Sequence, residues 1–295
     1  MYLNNPIPLK IHCWGGFGSQ LHALILALQI ERTFQRKLIL VFHTGGVTRR
    51  NLEIEALLQD FDFIVENDFI EAGKLTMSPK LKSAENILIK LIKGIAYKLN
   101  FVSKFESSDS IKSLKFWTLS LRGHYSNLQF DKECYQELFL KLEELSIFES
   151  NFVESNQDDW IVHYRLGDLL QIDENYILPK TIVKYFQESK LPKSIIVLSD
   201  SPETALDFLN SEFKKLDFDV QIRSEQLSSV STLVKCVRAK NFLGTTSKIS
   251  IWATVLRESI AANGTTVMPI SLSSNINSMV KISGSNFLVF FETET

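Results

Sequence analysis

The chain has 295 residues, 45% hydrophobic and 22% charged, with a formal net charge of -2; this suits a globular protein with a full core, in two domains or one large one. The balance gives no overall field for nucleic acid. Cys13, Cys134 and Cys236 show no CxxC or Cys/His ligand spacing, which argues against a disulfide framework or a zinc site and suits a reducing cytoplasm.

No basic-then-apolar leader and no run of about 18 apolar residues is present, so a cytoplasmic protein is expected. Pro8–Cys13 reads as a short apolar strand, broken by Gly15, Gly16 and Gly18. Gln20–Thr33 then repeats Leu21, Leu24, Ile25 and Leu28 at helical spacing, and Lys37–Phe42 is a buried-type strand. The middle is less regular: helices are expected near Glu53–Gln59, Ser83–Leu99 and Lys132–Leu145, and Phe116–Arg122 is ambiguous. From Asp159 a strand–helix rhythm runs through WIVHY, Leu178–Glu188, SIIVLSD, Ser201–Leu216, FDVQI, STLVKCVRA, NFLGT, Lys248–Ile260 and TTVMPI. That alternation predicts a doubly wound parallel sheet. The polar stretch Glu149–Asp158 marks the expected boundary, giving domains 1–153 and 154–295.

Ligands of such sheets bind at the carboxyl ends of strands, and four motifs fall there. In CWGGFGSQLH, glycines at a strand–helix turn permit close backbone approach, and the helix N-terminus offers N–H groups to an anion. Leu21 stands where a dinucleotide fingerprint needs glycine, and no acidic residue ends the next strand, so a nicotinamide site is rejected. In HYRLGD, Arg165 has the donor fork suited to phosphate, His163 can donate or move a proton, and Asp168 can orient Arg165, cap a helix or act as base. A plain Arg165–Asp168 surface pair is the alternative. VLSDSPETA places Asp200 before a helix start with Ser201 as N-cap and Pro202 at N1. GTTSKISIWATVL sets Thr245, Thr246, Ser247 and Ser250 around another helix start, where one hydroxyl would suffice for capping alone.

The ordered set resembles the α-1,2-fucosyltransferase family (glycosyltransferase family 11) of the fucosyltransferase superfamily. That pattern runs GGxGNQ, HxRRGD, FSDD and NSSFSWWA; here it stands as Gly15–Gln20, His163–Asp168, Leu198–Ser201 and Thr246–Ala253, and GSQLHA also resembles the GCQLHH of α-1,6-fucosyltransferases. The resemblance implies a GT-B fold, two Rossmann-like domains facing across a cleft, with the acceptor on the N-terminal side and the donor on the C-terminal side. It implies inverting, metal-independent transfer from a nucleotide sugar, GDP-fucose first, to a glycan hydroxyl, as in bacterial O-antigen or capsule synthesis. Arg165 would bind the diphosphate with Gly16, Phe17, Gly18, Ser19 and His22 nearby, Asp200 would lie near the nucleoside, and Thr246, Ser247 and Ser250 near phosphate or sugar. His163, Asp168 and His22 are the candidate bases. No cofactor or metal is expected. Four positions depart from the pattern: Leu166 for the second Arg, Ser19 for Asn, Ser201 for the second Asp, and Ile249 for the aromatic. Another activated sugar or sugar phosphate donor, or a non-catalytic nucleotide- or glycan-binding relative, are the alternatives.

Lys80–Lys104 is basic, with Glu85 its only acid. Ile87, Leu88, Leu91, Ile92, Ile95 and Leu99 share one helical face. Such a helix either packs on the N-terminal domain or rests on anionic lipid at the inner face of a membrane, where a lipid-linked acceptor would be met.

Overall fold

The structure is a computed structural model that describes residues 7–44, 51–66, 91–92, 94–104, 111, 114–126, 128–147, 159–167, 169–172, 176–282 and 286–293. The chain divides into two compact units, Met1–Cys134 and Tyr135–Thr295. The boundary expected at 153/154 lies outside the described residues.

In the first unit, β1 (Leu9–Trp14) leads through the glycine turn into α1 (Phe17–Phe34) and β2 (Leu38–His43), as the sequence predicts. α1 is apolar nearly all round rather than on one stripe; Ala23, Leu26 and Ile30 are as buried as Leu21, Leu24 and Ile25, so it lies within the core. It ends at Gln35 in the left-handed conformation (φ 49°), whose N–H donates to Glu31 C=O. β3 (Asp62–Glu66), β4 (Val102–Lys104) and β5 (Ser120–Arg122) complete a parallel sheet of order β3-β2-β1-β5-β4. The ambiguous stretch before Arg122 thus ends in a strand. The helix expected at 53–59 is a 3-10 turn, Glu55–Leu57. Most of the one expected at 83–99 lies outside the described residues; 91–92 and 94–98 are helical.

The second unit holds most of α2 (Lys132–Ile147), then β6 (Trp160–His163), α3 (Leu169–Ile172), α4 (Pro179–Glu188), β7 (Ser194–Leu198) and α5 (Pro202–Lys215). β8 (Gln221–Glu225), α6 (Ser229–Arg238), β9 (Asn241–Gly244), α7 (Lys248–Ser259), β10 (Gly264–Pro269), α8 (Ser273–Met279) and β11 (Asn286–Phe291) follow. The six strands are parallel in the order β11-β10-β9-β6-β7-β8. Numbered from β6 this is 3-2-1-4-5-6 read from β8, the Rossmann order. The α/β class with two Rossmann-like halves, expected from the strand–helix rhythm, is what the chain forms. β8 begins three residues later than expected, because Phe218 and Val220 serve the core before the ladder starts.

Val162, Val197, Leu243 and Val267 pack with Phe186, Leu209 and Phe213 of α4 and α5 in one apolar cluster. Each such fully buried side chain contributes about 1.5–3 kcal/mol. At the amino end of the sheet, Arg257 of α7 is fully buried. Its Nε–H donates to Thr266 Oγ1 (2.8 Å) and its amino groups donate to the carbonyls of Val237 (2.9 Å), Cys236 (3.3 Å) and Ala239. One guanidinium thus satisfies the open carbonyls at the end of α6 and ties them to β10. Burial lowers its pKa to about 10, with Cys236 and Glu258 opposing, which leaves it charged at neutral pH. Arg257→Leu is expected to cost at least roughly 3 kcal/mol in urea unfolding, because several buried carbonyls lose their donor; a loss below about 1 kcal/mol would contradict that role.

Candidate functional site

The chain leaves β6 for β7 and β8, then returns to the other side of β6 to form β9. This reversal point, at the carboxyl ends of β6 and β9, is where open α/β sheets form their ligand-binding crevice. His163 ends β6, in register with Leu198 of β7 and Gly244 of β9. The motif residues that follow those three strand ends therefore meet.

Thr245 clips the two sides of the crevice together. Arg165 N–H donates to its Oγ1 (3.0 Å), and that hydroxyl donates to His163 C=O (3.0 Å). Asp200, just past β7, fixes the next two residues: its Oδ1 accepts from Leu166 N–H (3.0 Å) and its Oδ2 lies 3.1 Å from Arg165 Nε. The Nε–H is not aimed along the oxygen, so this contact is ionic rather than a hydrogen bond. Arg165 is 27% exposed and Asp200 39%, so solvent holds the pair's worth to about 0–1 kcal/mol. Its consequence is orientation of the guanidinium. Gly167 has a steric reason: a Cβ there would lie 2.2 Å from Asp200 Oδ2.

His163 and Ser250 form the floor. His163 Nδ1 lies 2.8 Å from Ser250 Oγ, which accepts from Thr245 N–H (3.2 Å). The serine hydroxyl can donate to Nδ1 or accept a second hydrogen bond from it, according to the imidazole tautomer. Burial lowers the His163 pKa to about 4, Asp200 opposing and Arg165 adding to the shift. His163 is therefore neutral at physiological pH. Gly244 leaves room for this packing, since a Cβ would come within 2.5 Å of Met268 Sδ and 2.7 Å of Ser250 Cβ. Ser247 caps α7 by accepting from Ile249 N–H (3.1 Å), and Thr246 beside it is half-buried. The α7 N-terminus, with no acidic residue in its first turn, brings its partial positive charge to the same crevice. Ser201 occupies the α5 N-cap without a side-chain capping bond; its N–H instead donates to Ser199 Oγ (3.0 Å).

The glycine turn belongs to the first unit, at the end of β1, where that sheet also reverses direction between β2 and β5. Gly15 has φ +86°, a conformation that favours glycine. Gln20, fully buried, donates to the carbonyls of Gly15 (2.9 Å) and Asn51 (2.8 Å) and accepts from Glu53 N–H (2.8 Å). It clamps residues 51–54 over the turn, and Glu53 Oε1 accepts from Phe17 N–H (3.1 Å) at the head of α1. A carboxylate of the chain itself thus stands where an anion was expected. Gly16 and Ser19 are half-buried, while Phe17, Gly18 and His22 are buried. Sequence reasoning missed Glu53 and the Gln20 clamp, although Gln20 stood in the motif. Another buried pair joins β1 to β2: His12 Nδ1 and His43 Nε2 are 2.7 Å apart, and burial, helped by Arg122, His43 and Lys10, lowers His12 to about 3.

The structure therefore brings together His163, Arg165, Asp200, Thr245 and Ser250, with Ser247 at the adjoining helix start. Asp168 lies outside the described residues; among those described, Asp200 sets a carboxylate against Arg165. A cavity of 490 Å³, lined by Thr181, Lys184, Tyr185, Glu188 and Phe291 among others, contains none of the motif residues. Among the described residues no group of three His, Cys, Asp or Glu side chains could hold a metal ion, and no helix is long and apolar enough to cross a membrane.

No protein-family model matches the chain, and no curated protein sequence does. Among solved structures it is similar to POFUT1 in complex with GDP-fucose, at 14% identity and a TM-score of 0.45 over 98% of this chain and 99% of that one. It is similar to fucosyltransferase NodZ from Bradyrhizobium, at 11% identity and a TM-score of 0.42 over 85% and 94%. It is also similar to the E. coli heptosyltransferase WaaC with ADP, at 11% identity and 0.44 over 96% and 92%. With each score below one half, these likenesses carry no functional weight.

The lowered His163 pKa predicts acid sensitivity. Unfolded, the imidazole binds a proton below about 6.5; folded, only below about 4. The unfolded chain therefore holds more protons in that window, and stability present above pH 6.5 is lost as pH falls toward 4, by about 3 kcal/mol for this group. Denaturant titrations at several pH values should show His163→Gln losing this part of the slope and keeping the part due to His12; an unchanged slope would contradict the buried neutral imidazole.

Proposed function

We propose that the chain is a glycosyltransferase of the GT-B type that binds a nucleotide-diphosphate sugar in its second unit and transfers the sugar to a glycan hydroxyl. The observation that carries this reading is the Arg165 guanidinium, oriented by Asp200 at the reversal point of a 3-2-1-4-5-6 parallel sheet and accompanied by the α7 N-terminus. As the glycosidic bond breaks, negative charge grows on the departing diphosphate. A fixed guanidinium and a helix N-terminus stabilise that charge without depending on a metal. Inversion at the sugar carbon, the acceptor on the first unit and a role in bacterial surface polysaccharide synthesis complete the proposal, on the ordered motifs that resemble family 11.

GDP-fucose is the donor those motifs favour. One observation favours another activated sugar: Leu166, standing where the family pattern has its second arginine, is fully buried and commits its N–H to Asp200. That side supplies no second cation to the donor. The acceptor hydroxyl needs a base. His163 is buried, bonded to Ser250 and neutral, which favours a positioning role.

Arg165→Ala is expected to keep its thermal midpoint and lose at least about 100-fold in transfer or donor hydrolysis. A panel of GDP, UDP, CMP and sugar phosphates in thermal shift identifies the donor, since a ligand of the folded state raises its stability. Turnover of Arg165→Ala near wild type would sink the proposal. Nucleotide binding without any turnover in the wild type would assign the chain to the non-catalytic relatives.

A further inference from the structure

An apolar stripe along a helix is normally the face that the core covers. Around residues 91–99 the opposite holds. Leu91, Ile92, Ile95 and Leu99 are 59%, 56%, 48% and 51% exposed, whereas Ala96 and Tyr97 are half-buried. The stripe faces outward. A second segment lies against its end: Trp117 Nε1–H donates to Leu99 C=O (2.9 Å), and the N–H groups of Leu119 and Ser120 donate to Phe101 C=O (2.8 and 3.2 Å). Phe116, 74% exposed, and Trp117 meet edge to face with ring centres 4.8 Å apart. The turn that carries them is fixed to the body of the unit, for Arg36 donates to the carbonyls of Thr118 (2.5 Å) and Ile7 (3.2 Å).

Single exposed apolar residues need no explanation, but a contiguous patch marks an interaction surface. Residues 91–101 and 114–119 contain no Asp or Glu. Lys98 and Lys115 are exposed among the apolar side chains, and Lys90 and Lys93 adjoin them in sequence. Leucine, isoleucine, phenylalanine and tryptophan interspersed with Lys98 and Lys115 suit the boundary between headgroups and acyl chains of an anionic bilayer. A twofold contact with a second copy would set the same lysines against each other.

We propose that this face of the first unit, the outward stripe of residues 91–99 with the Phe116–Trp117 turn, docks on an anionic lipid surface. That the sugar acceptor is carried on the same surface rests on the transferase reading; the docking does not.

Flotation of the full chain with vesicles tests it. Binding is expected to phosphatidylcholine vesicles containing roughly one-third phosphatidylglycerol, not to phosphatidylcholine alone, and is expected to fall as salt rises from about 0.1 to 0.5 M. The pair Phe116→Ser and Trp117→Ser, and separately Lys98→Glu with Lys115→Glu, should each reduce the bound fraction at least about tenfold, with thermal midpoint and nucleotide binding unchanged. No flotation, equal flotation with neutral vesicles, or wild-type binding by both variants would overturn the proposal. So would a dimer in light scattering that the Phe116/Trp117 variant abolishes while no vesicles are bound, which would assign the face to a second copy. Flotation uses no donor, so a chain that floats yet ignores every nucleotide would contradict only the transferase reading.

Discussion

The Asp200 carboxylate holds the crevice of the second unit in shape. One oxygen accepts from Leu166 N–H, the other lies against Arg165 Nε, and the same carboxylate fills the volume that any side chain at position 167 would need. A long cationic side chain at a strand end has many rotamers, and holding it still costs conformational entropy. Because the carboxylate and the backbone turn are fixed together, much of that ordering is complete before any anion arrives. Preorganisation of this kind is what the proposed phosphate-binding role of Arg165 would need.

Beneath it, Thr245 and Ser250 join β6 to β9 through side chains where the backbone ladder has ended. His163 extends this network into the interior. Burial holds it neutral, so the imidazole serves as a rigid, hydrogen-bonded spacer under Arg165. At the other end of the sheet, Arg257 gathers the carbonyls left open by α6. The two arginines show how environment assigns a role to one residue type. Arg257, fully buried and surrounded by acceptors, is part of the scaffold, whereas Arg165 is partly exposed beside Asp200, the setting that the proposed function requires of it.

Much of this was legible in the sequence. Buried parallel strands read as continuous apolar runs, and Gly15–Gly16, Pro202 and Ser247 punctuate helix starts by their own backbone chemistry, so the two Rossmann-like halves could be drawn from residues alone. The partners were not legible. Asp200 is 35 residues from Arg165, and only the pairing of β6 with β7 brings the two strand ends side by side; Asp168, the carboxylate that HYRLGD itself offers, lies outside the described residues. Glu53 and the Gln20 clamp were hidden for a similar reason, since their contacts cross from α1 to a loop more than 30 residues away. β3 escaped notice because it is an edge strand, its residues exposed apart from half-buried Glu66, with no alternation for a pattern to reveal. The stripe at 91–99 was read correctly as amphipathic, but periodicity says which residues share a face and nothing about which way that face turns.

Calorimetric titration of the wild type and Asp200→Asn with guanosine, GMP and GDP tests most directly whether an oriented guanidinium grips a diphosphate. The account predicts affinity rising steeply from nucleoside to diphosphate, at least about tenfold, and a gain for the diphosphate that shrinks in Asp200→Asn as Arg165 loses its support. Equal affinity for guanosine and GDP, or a diphosphate gain untouched by Asp200→Asn, would contradict it.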